Sequence, residues 1–262
     1  MRILRLPRKG IYAGTLILVN RAHGIVRPDE EALYPVFRPD SSILLRRRAA
    51  NLLESLMEAI RGWDGIAPVS GWRSQEEQTG IWNDSLKVSG RAFTEKYVAL
   101  PGHSEHQTGL AIDLGLKMDE IDFIRPAFPY EGICQTFRER AAEYGFIERY
   151  PKGKESVTGI AHEPWHFRYV GAPHAQIMAE RGLTLEEYVD FLRDYPHGQR
   201  ALCAVTELGE TYVSYLKAQR GDGTLLELAD GAPCDVSGNN IDGFIITLWR
   251  NRHADDAKTR CA

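Results

Sequence analysis

Residues 104–113 read Ser104-Glu105-His106-Gln107-Thr108-Gly109-Leu110-Ala111-Ile112-Asp113. Strand alternation from Leu110 to Leu114 puts Ala111 and Asp113 on one face and Leu110, Ile112 and Leu114 on the other. An Asp flanked by Leu and Ile is costly to bury unless it is paired or bound to a cation. Taken alone, Asp113 also reads as a carboxylate capping nearby amides, and His106 as a satisfied loop histidine.

A second stretch, Glu163-Pro164-Trp165-His166, changes that balance. His166 opens an apolar strand over Trp165 to Val170, and Pro164 interrupts regular pairing just before it. A bend at Pro164 lets Glu163 and His166 face one cavity despite their odd spacing. His106, Asp113 and His166 form a three-ligand metal set that leaves a fourth position open, the arrangement of a catalytic zinc site. Glu163 is then the base that takes a proton from water. Arg73, between a strand and a helix start, is placed to stabilise an oxyanion. Ser74 and Gln78 support it or bind a substrate carboxylate, Ser74 also reading as a helix cap. Trp165 walls the pocket. His103, His162 and His174 are further histidines to which a ligand role is not assigned. Glu105 is expected to point elsewhere, and Cys134 to lie in the core.

Working outward, Leu45, Ala49, Leu52, Leu53, Leu56, Met57 and Ile60 recur at helical spacing, with Gly62 as the stop. Residues 29–42 read as a loop before that helix. Ile66 to Trp72 is a short strand, and Ser74 caps a helix that fades near Ser89-Gly90. Residues 91–108 and 116–131 read as irregular. Ile133, Phe137, Ala141 and Tyr144 mark another helix, ended by Gly145, followed by a loop or hairpin from Glu148 to Gly159. Thr184-Leu185-Glu186-Glu187 is a capping box for a helix running through Phe191. After Pro196, Thr211 to Leu216 and Phe244 to Trp249 are strand-like, punctuated by Asp-Gly and Ser-Gly turns. The expected division is residues 1–199 as one domain and 200–262 as a small β-rich unit.

The 262 residues, 43% of them hydrophobic, suffice for a full core. A net charge of −4 argues against a broad nucleic-acid surface, and Arg46-Arg47-Arg48 reads as the polar face of a helix. No apolar run approaches the about 20 residues of a bilayer span. Thr15 to Val19 reads as a buried strand rather than a targeting segment. Cys134, Cys203, Cys234 and Cys261 are well separated, which suggests four free thiols and a cytoplasmic location.

Ser-x-His-x-x-Gly-x-Ala-x-Asp over 104–113, Glu-x-Trp-His over 163–166 and Ser-Gly-Trp-Arg-Ser-x-x-x-Gln over 70–78 together resemble the zinc D,D-peptidases of vancomycin resistance. This is the VanX, VanY and VanXY group, related to the Hedgehog signalling domain. The resemblance covers residues about 15 to 195 and is nearest the bifunctional VanXY type. It implies an α+β fold, a small central antiparallel sheet with flanking helices, with the C-terminal β unit outside the match. It implies one zinc ion on His106, Asp113 and His166, Glu163 as base and Arg73 at the transition state, with Gln78 and Ser104 near the substrate. The implied substrates are D-Ala-D-Ala and the terminal D-Ala of the pentapeptide precursor, with neither nucleic acid nor membrane as partner.

Two other readings stay open at this level. One is a stem-peptide endopeptidase on the same scaffold, which requires an open groove. The other is a non-catalytic, zinc-stabilised module that binds cell-wall peptides; Glu163 and Arg73 together count against it, since neither is needed merely to hold zinc.

Overall fold

The computed structural model describes residues 1–26, 31–37, 41–206 and 209–249. Its strands are β1 (Arg2–Pro7), β2 (Leu33–Pro35), β3 (Leu44–Arg46), β4 (Ile66–Ser70), β5 (Ala111–Leu116), β6 (Phe146–Tyr150), β7 (Glu163–Tyr169), β8 (Leu202–Thr206), β9 (Gly209–Lys217), β10 (Gly223–Leu228), β11 (Cys234–Gly238) and β12 (Gly243–Trp249). Its helices are α1 (Arg47–Ala59), α2 (Gln75–Tyr97), α3 (Gly132–Ala141), α4 (Glu155–Thr158), α5 (His174–Arg181) and α6 (Leu185–Phe191). They divide into two compact units, Val19–Thr184 and Met1–Leu18 with Leu185–Ala262.

In the unit Val19–Thr184, β4, β5, β7 and β6 form an antiparallel sheet in that order. One face is apolar because the strands alternate. Leu110, Ile112 and Leu114 lie in one core cluster with Phe146, Trp165, Phe167 and Tyr169. That cluster includes Ala49, Ala50, Leu53, Leu56 and Met57 of α1 and Cys134, Phe137 and Ala141 of α3. Burying one side chain such as Leu53 or Phe137 contributes about 1.5–3 kcal/mol. The opposite face is freed for Asp113, His166 and Arg168, all buried. This is the α+β arrangement of a small antiparallel sheet and flanking helices that the motifs implied.

Several expectations shift. Helix α1 ends as its apolar spacing predicts, but the left-handed residue of the turn is Arg61 (φ 54), not Gly62. Helix α2 continues beyond Ser89-Gly90: it kinks at Gly90 (φ 76) and resumes to Tyr97. The segment from Glu148 holds the end of β6 and the short α4. Of the loop expected over 29–42, residues 29–30 and 38–40 lie outside the described residues, and β2 pairs with β3 within it.

The unit Met1–Leu18 with Leu185–Ala262 holds a sheet of order β11-β12-β9-β8 and the pair β1-β10. Ile11, Leu226, Leu228, Phe244 and Ile246 form its core. Here the boundary departs from the expected 199/200, because β1 pairs with β10 from Arg2↔Leu228 to Pro7↔Gly223 and so carries the N-terminal segment into this unit. Leu16, Ile17 and Leu18 are buried as expected but form no strand. Their amides are taken by non-ladder partners: Leu16 N–H donates to Ser237 Oγ (2.9 Å) and Leu18 N–H to the Asn239 carbonyl (3.2 Å). Cys134 and Cys234 are free thiols, but Cys203 is disulfide-bonded, which corrects the expectation of four thiols. Cys261 and residues 250–255 of the expected β unit lie outside the described residues.

Candidate active site

Three adjacent strands bring the site together. Ser70 on β4 lies opposite Asp113 on β5, and Asp113 lies opposite His166 on β7. Strand pairing thus places residues 43 and 53 positions apart side by side. Glu163 enters through a register irregularity. Glu148 pairs with Phe167 and Tyr150 with Glu163, so two steps along β6 match four along β7. That surplus, at Pro164, reconciles the odd spacing of Glu163 and His166 with a shared pocket.

His106 sits on a one-turn 3-10 helix, Glu105–Thr108, closed by Gly109 in the left-handed conformation (φ 69). Its Nδ1 lies 2.7 Å from the Gly71 carbonyl. A carbonyl only accepts, so Nδ1 carries the hydrogen and Nε2 of the neutral ring presents a lone pair. Gly71 itself is required by close approach: a Cβ there would lie 2.4 Å from the Leu44 carbonyl oxygen.

Burial keeps His106 neutral, pushing its pKa down to about 4. Its Nε2 lies 3.1 Å from Asp113 Oδ2, and His166 Nδ1 lies 2.8 Å from Asp113 Oδ1. Burial opposes ionisation of Asp113, but the two histidines beside it hold its pKa well below the usual carboxylate range. With His106 neutral, the bare nitrogen and the carboxylate face each other as two acceptors, an apposition that a cation between them resolves. The candidate ligand atoms of His106, Asp113 and His166 all lie within 4.8 Å of one another. Two imidazole nitrogens and one carboxylate oxygen suit zinc.

Arg73 reaches the same carboxylate. Its Nε donates to Ser70 Oγ (2.8 Å), its Nη2 to Asp113 Oδ2 (3.0 Å) and its Nη1 to Gln78 Oε1 (3.5 Å). Gln78 Nε2 donates to the Ala99 carbonyl at 2.9 Å, which fixes the amide orientation. Ser74 is the cap of α2, in a capping box with Glu77. The Glu163 carboxylate is buried with no hydrogen-bond partner among the described residues. Burial pushes it up to about 8, and the neighbouring His166 and Arg73 offset this only in part.

Arg73, Gln78, Ser104, His106, Asp113, Glu163, Trp165 and His166 all line one pocket. Other histidines do not join them. His103 Nδ1 lies 2.8 Å from the Asn20 carbonyl and lines a separate small cavity. His162 Nε2 lies 2.7 Å from the Tyr130 hydroxyl. His174 is buried in α5. Glu105 overturns its expectation. It lines the same pocket with its side chain buried, Arg149 Nε donating to Oε1 at 2.9 Å and Arg168 Nη1 lying 2.8 Å from the same oxygen. The sequence carried a signal for this group: Arg149 and Arg168 stand in apolar strands, where a charge requires a partner, as does Asp113. Tyr97, Phe123 and Tyr150 also line the pocket, and Tyr150 stacks on His166 with ring centroids 4.9 Å apart. No spacing rule singles these aromatic residues out.

Residues 42–172 match the family model described as VanY, D-alanyl-D-alanine carboxypeptidase. The chain is 44% identical over 181 residues to VanXYC of Enterococcus gallinarum, a bifunctional D-Ala-D-Ala dipeptidase and carboxypeptidase; the match covers 68% of this chain and 95% of that protein. The structure of the vancomycin-resistance D,D-dipeptidase VanXYg, in complex with a D-Ala-D-Ala phosphinate analogue, superposes with a TM-score of 0.92 at 48% identity, over 95% of this chain and 99% of that one. A mutant of the D,D-pentapeptidase VanY from the VanB-type resistance cassette, in complex with Zn(II), aligns at a TM-score of 0.53 and 34% identity, over 67% of this chain and 98% of that one. With its motif-bearing half matched by the family model and 95% of its length by a solved relative, the chain belongs to the VanY family of D-alanyl-D-alanine carboxypeptidases.

Proposed function

We propose that this chain hydrolyses the D-Ala-D-Ala bond, both in the free dipeptide and at the end of the peptidoglycan pentapeptide precursor, and so confers resistance to vancomycin. One observation carries the reading: a single pocket is lined by the His106, Asp113 and His166 cluster, by an unpartnered buried carboxylate and by a guanidinium. VanXYC, named for both activities, supports the dual substrate.

One zinc ion would be held by His106, Asp113 and His166. When bound, zinc supplies Lewis-acid polarisation of the carbonyl and lowers the pKa of water. Glu163 accepts the proton released as water attacks the penultimate D-Ala carbonyl and returns it to the departing amine. Its burial suits this cycle, since a base near neutrality both takes and gives a proton. Arg73, held by Ser70 and Gln78, donates to the oxyanion. Gln78 and Ser104 bind the terminal carboxylate, which restricts cleavage to the chain end, and Trp165 walls the pocket.

The test is a side-by-side rate measurement on D-Ala-D-Ala and the pentapeptide precursor, with and without zinc. Zinc-dependent release of D-Ala from both is expected. No turnover of either with zinc restored overturns the reading, and turnover of the dipeptide alone reduces it to a dipeptidase. Among the described residues, no helix is long and apolar enough to cross a membrane. We place the activity in the cytoplasm on the likeness to the VanXY type; the disulfide at Cys203 removes the thiol argument for it. Recovery of the protein in the membrane fraction would refute that location.

A further inference from the structure

Beneath His166 lies a carboxylate that the proposed reaction does not use. The side chains of Glu105, Arg149 and Arg168 are all 0% exposed. Both arginines address Glu105 Oε1, at 2.9 and 2.8 Å. The second oxygen, Oε2, has no hydrogen-bond partner among the described residues, and neither does His166 Nε2. These two buried atoms face each other at 3.7 Å. On the other side of the ring, Nδ1 lies 2.8 Å from Asp113 Oδ1.

Three charges without solvent are expensive, and apolar side chains of similar volume would serve packing as well or better. Their arrangement has a chemical consequence that packing does not require. A carboxylate held between two arginines accepts and does not donate. A neutral imidazole donates from one nitrogen and accepts at the other. With Glu105 at 3.7 Å from Nε2 and Asp113 at 2.8 Å from Nδ1, the ring has an acceptor on each side, so without a cation Nδ1 donates to Asp113; once a cation takes the Nδ1 lone pair, the ring hydrogen sits on Nε2, toward Glu105.

We propose that Glu105 is a positioning residue that fixes the tautomer and ring orientation of His166, with Arg149 and Arg168 keeping it an acceptor, and so sets the metal affinity of the site. The inference rests on the reading of the His106, Asp113 and His166 cluster as a zinc site. Carboxylate partners of metal-bound histidines act in this way in general. The neutral isostere inverts the pattern. In Glu105→Gln the arginines claim the amide oxygen, the amide nitrogen faces Nε2, and His166 Nε2 must accept.

The experiment measures zinc affinity by chelator competition and reads the His166 ring nitrogens by ¹⁵N NMR in the zinc-loaded protein. Expected results are Nε2–H in the parent chain and about 10–100-fold weaker zinc binding in Glu105→Gln. Glu105→Asp, which keeps the charge but shortens the reach, should lose less. Zinc affinity within twofold of the parent in both variants, or no hydrogen on Nε2 in the zinc-loaded parent, overturns the proposal. Should Glu105→Gln fail to fold, the parent spectrum and Glu105→Asp still decide. Failure of the parent to bind zinc would instead refute the metal-site reading.

Discussion

Glu105 and Glu163, both in the pocket wall, are almost fully enclosed, with 2% and 6% exposure, yet their surroundings drive them apart. Burial opposes ionisation of Glu105, but Arg149 and Arg168 hold its pKa well below the usual range. Burial dominates at Glu163, which rises to about 8. Similar burial thus gives opposite chemistry: a carboxylate in direct contact with two arginines is held as an anion, and one that neighbouring cations compensate only in part is pushed toward its protonated form. The pocket separates what is held constant from what must change in the reaction.

The largest test of that separation is Glu163→Gln. It should lower turnover by about 10²–10⁴-fold while zinc content, measured by mass spectrometry of the metal, stays at the parent level. Loss of zinc would make Glu163 a ligand and dissolve the contrast. On the other side of the comparison, Arg168→Leu strips one counter-charge from Glu105 and should cost roughly 3–5 kcal/mol in denaturant unfolding, the usual penalty for breaking a buried pair. A neutral result there would mean that Arg149 alone suffices. Arg73→Ala should reduce kcat by about 10²–10³-fold, since its side chain faces the pocket. A rise in KM with kcat intact would make it a ground-state carboxylate binder.

The smallest effect is on the pH dependence of the metal-free protein. Glu163 has a folded value of about 8 against an ordinary 4.5, so between these values the folded state keeps a proton that the unfolded chain has lost. Its contribution to stability is full below about 4.5 and is lost as pH rises through about 8. Glu105, shifted down, contributes in the opposite sense: full above 4.5 and lost as pH falls toward its lowered value. Thermal melts of Glu163→Gln and the parent should therefore converge in acid and separate above pH 8, the variant melting higher. Parallel curves would remove the Glu163 half of the comparison.

Part of the candidate site stands out in the sequence because some of its residues break a local rule. Asp113 and His166 are polar in apolar strands, Pro164 interrupts a ladder, and Arg73 and Gln78 flank a capped helix start. The strand of Glu163 and His166 and the helices α1 and α3 followed from periodicity alone. What escaped was long-range. Glu105 looked like an outward neighbour of His106, and only its meeting with Arg149 and Arg168, 44 and 63 positions on, gives it a place. The strand β1 was hidden because Arg2 stands in phase with Leu4 and Leu6 while the apolar Ile3 stands out of phase, which breaks the alternation. Its partner lies at the far end of the chain, so no local pattern announces the pairing.

That pairing also bears on the order of synthesis. Leu6 meets Thr224, so the first strand emerges from the ribosome long before its partner exists. At about 5–20 residues per second, the wait is roughly 10–45 s. Val19–Thr184, whose sheet is complete once β7 is made, is available to fold during that interval, and lies in sequence between the two parts of the other unit, which must find each other afterwards. A nascent-chain experiment should find the inner unit protease-resistant while Arg2–Pro7 is still open to cleavage. The strand is therefore a late clasp, and a chaperone that binds extended apolar segments has its window on Ile3, Leu4 and Leu6 before translation ends.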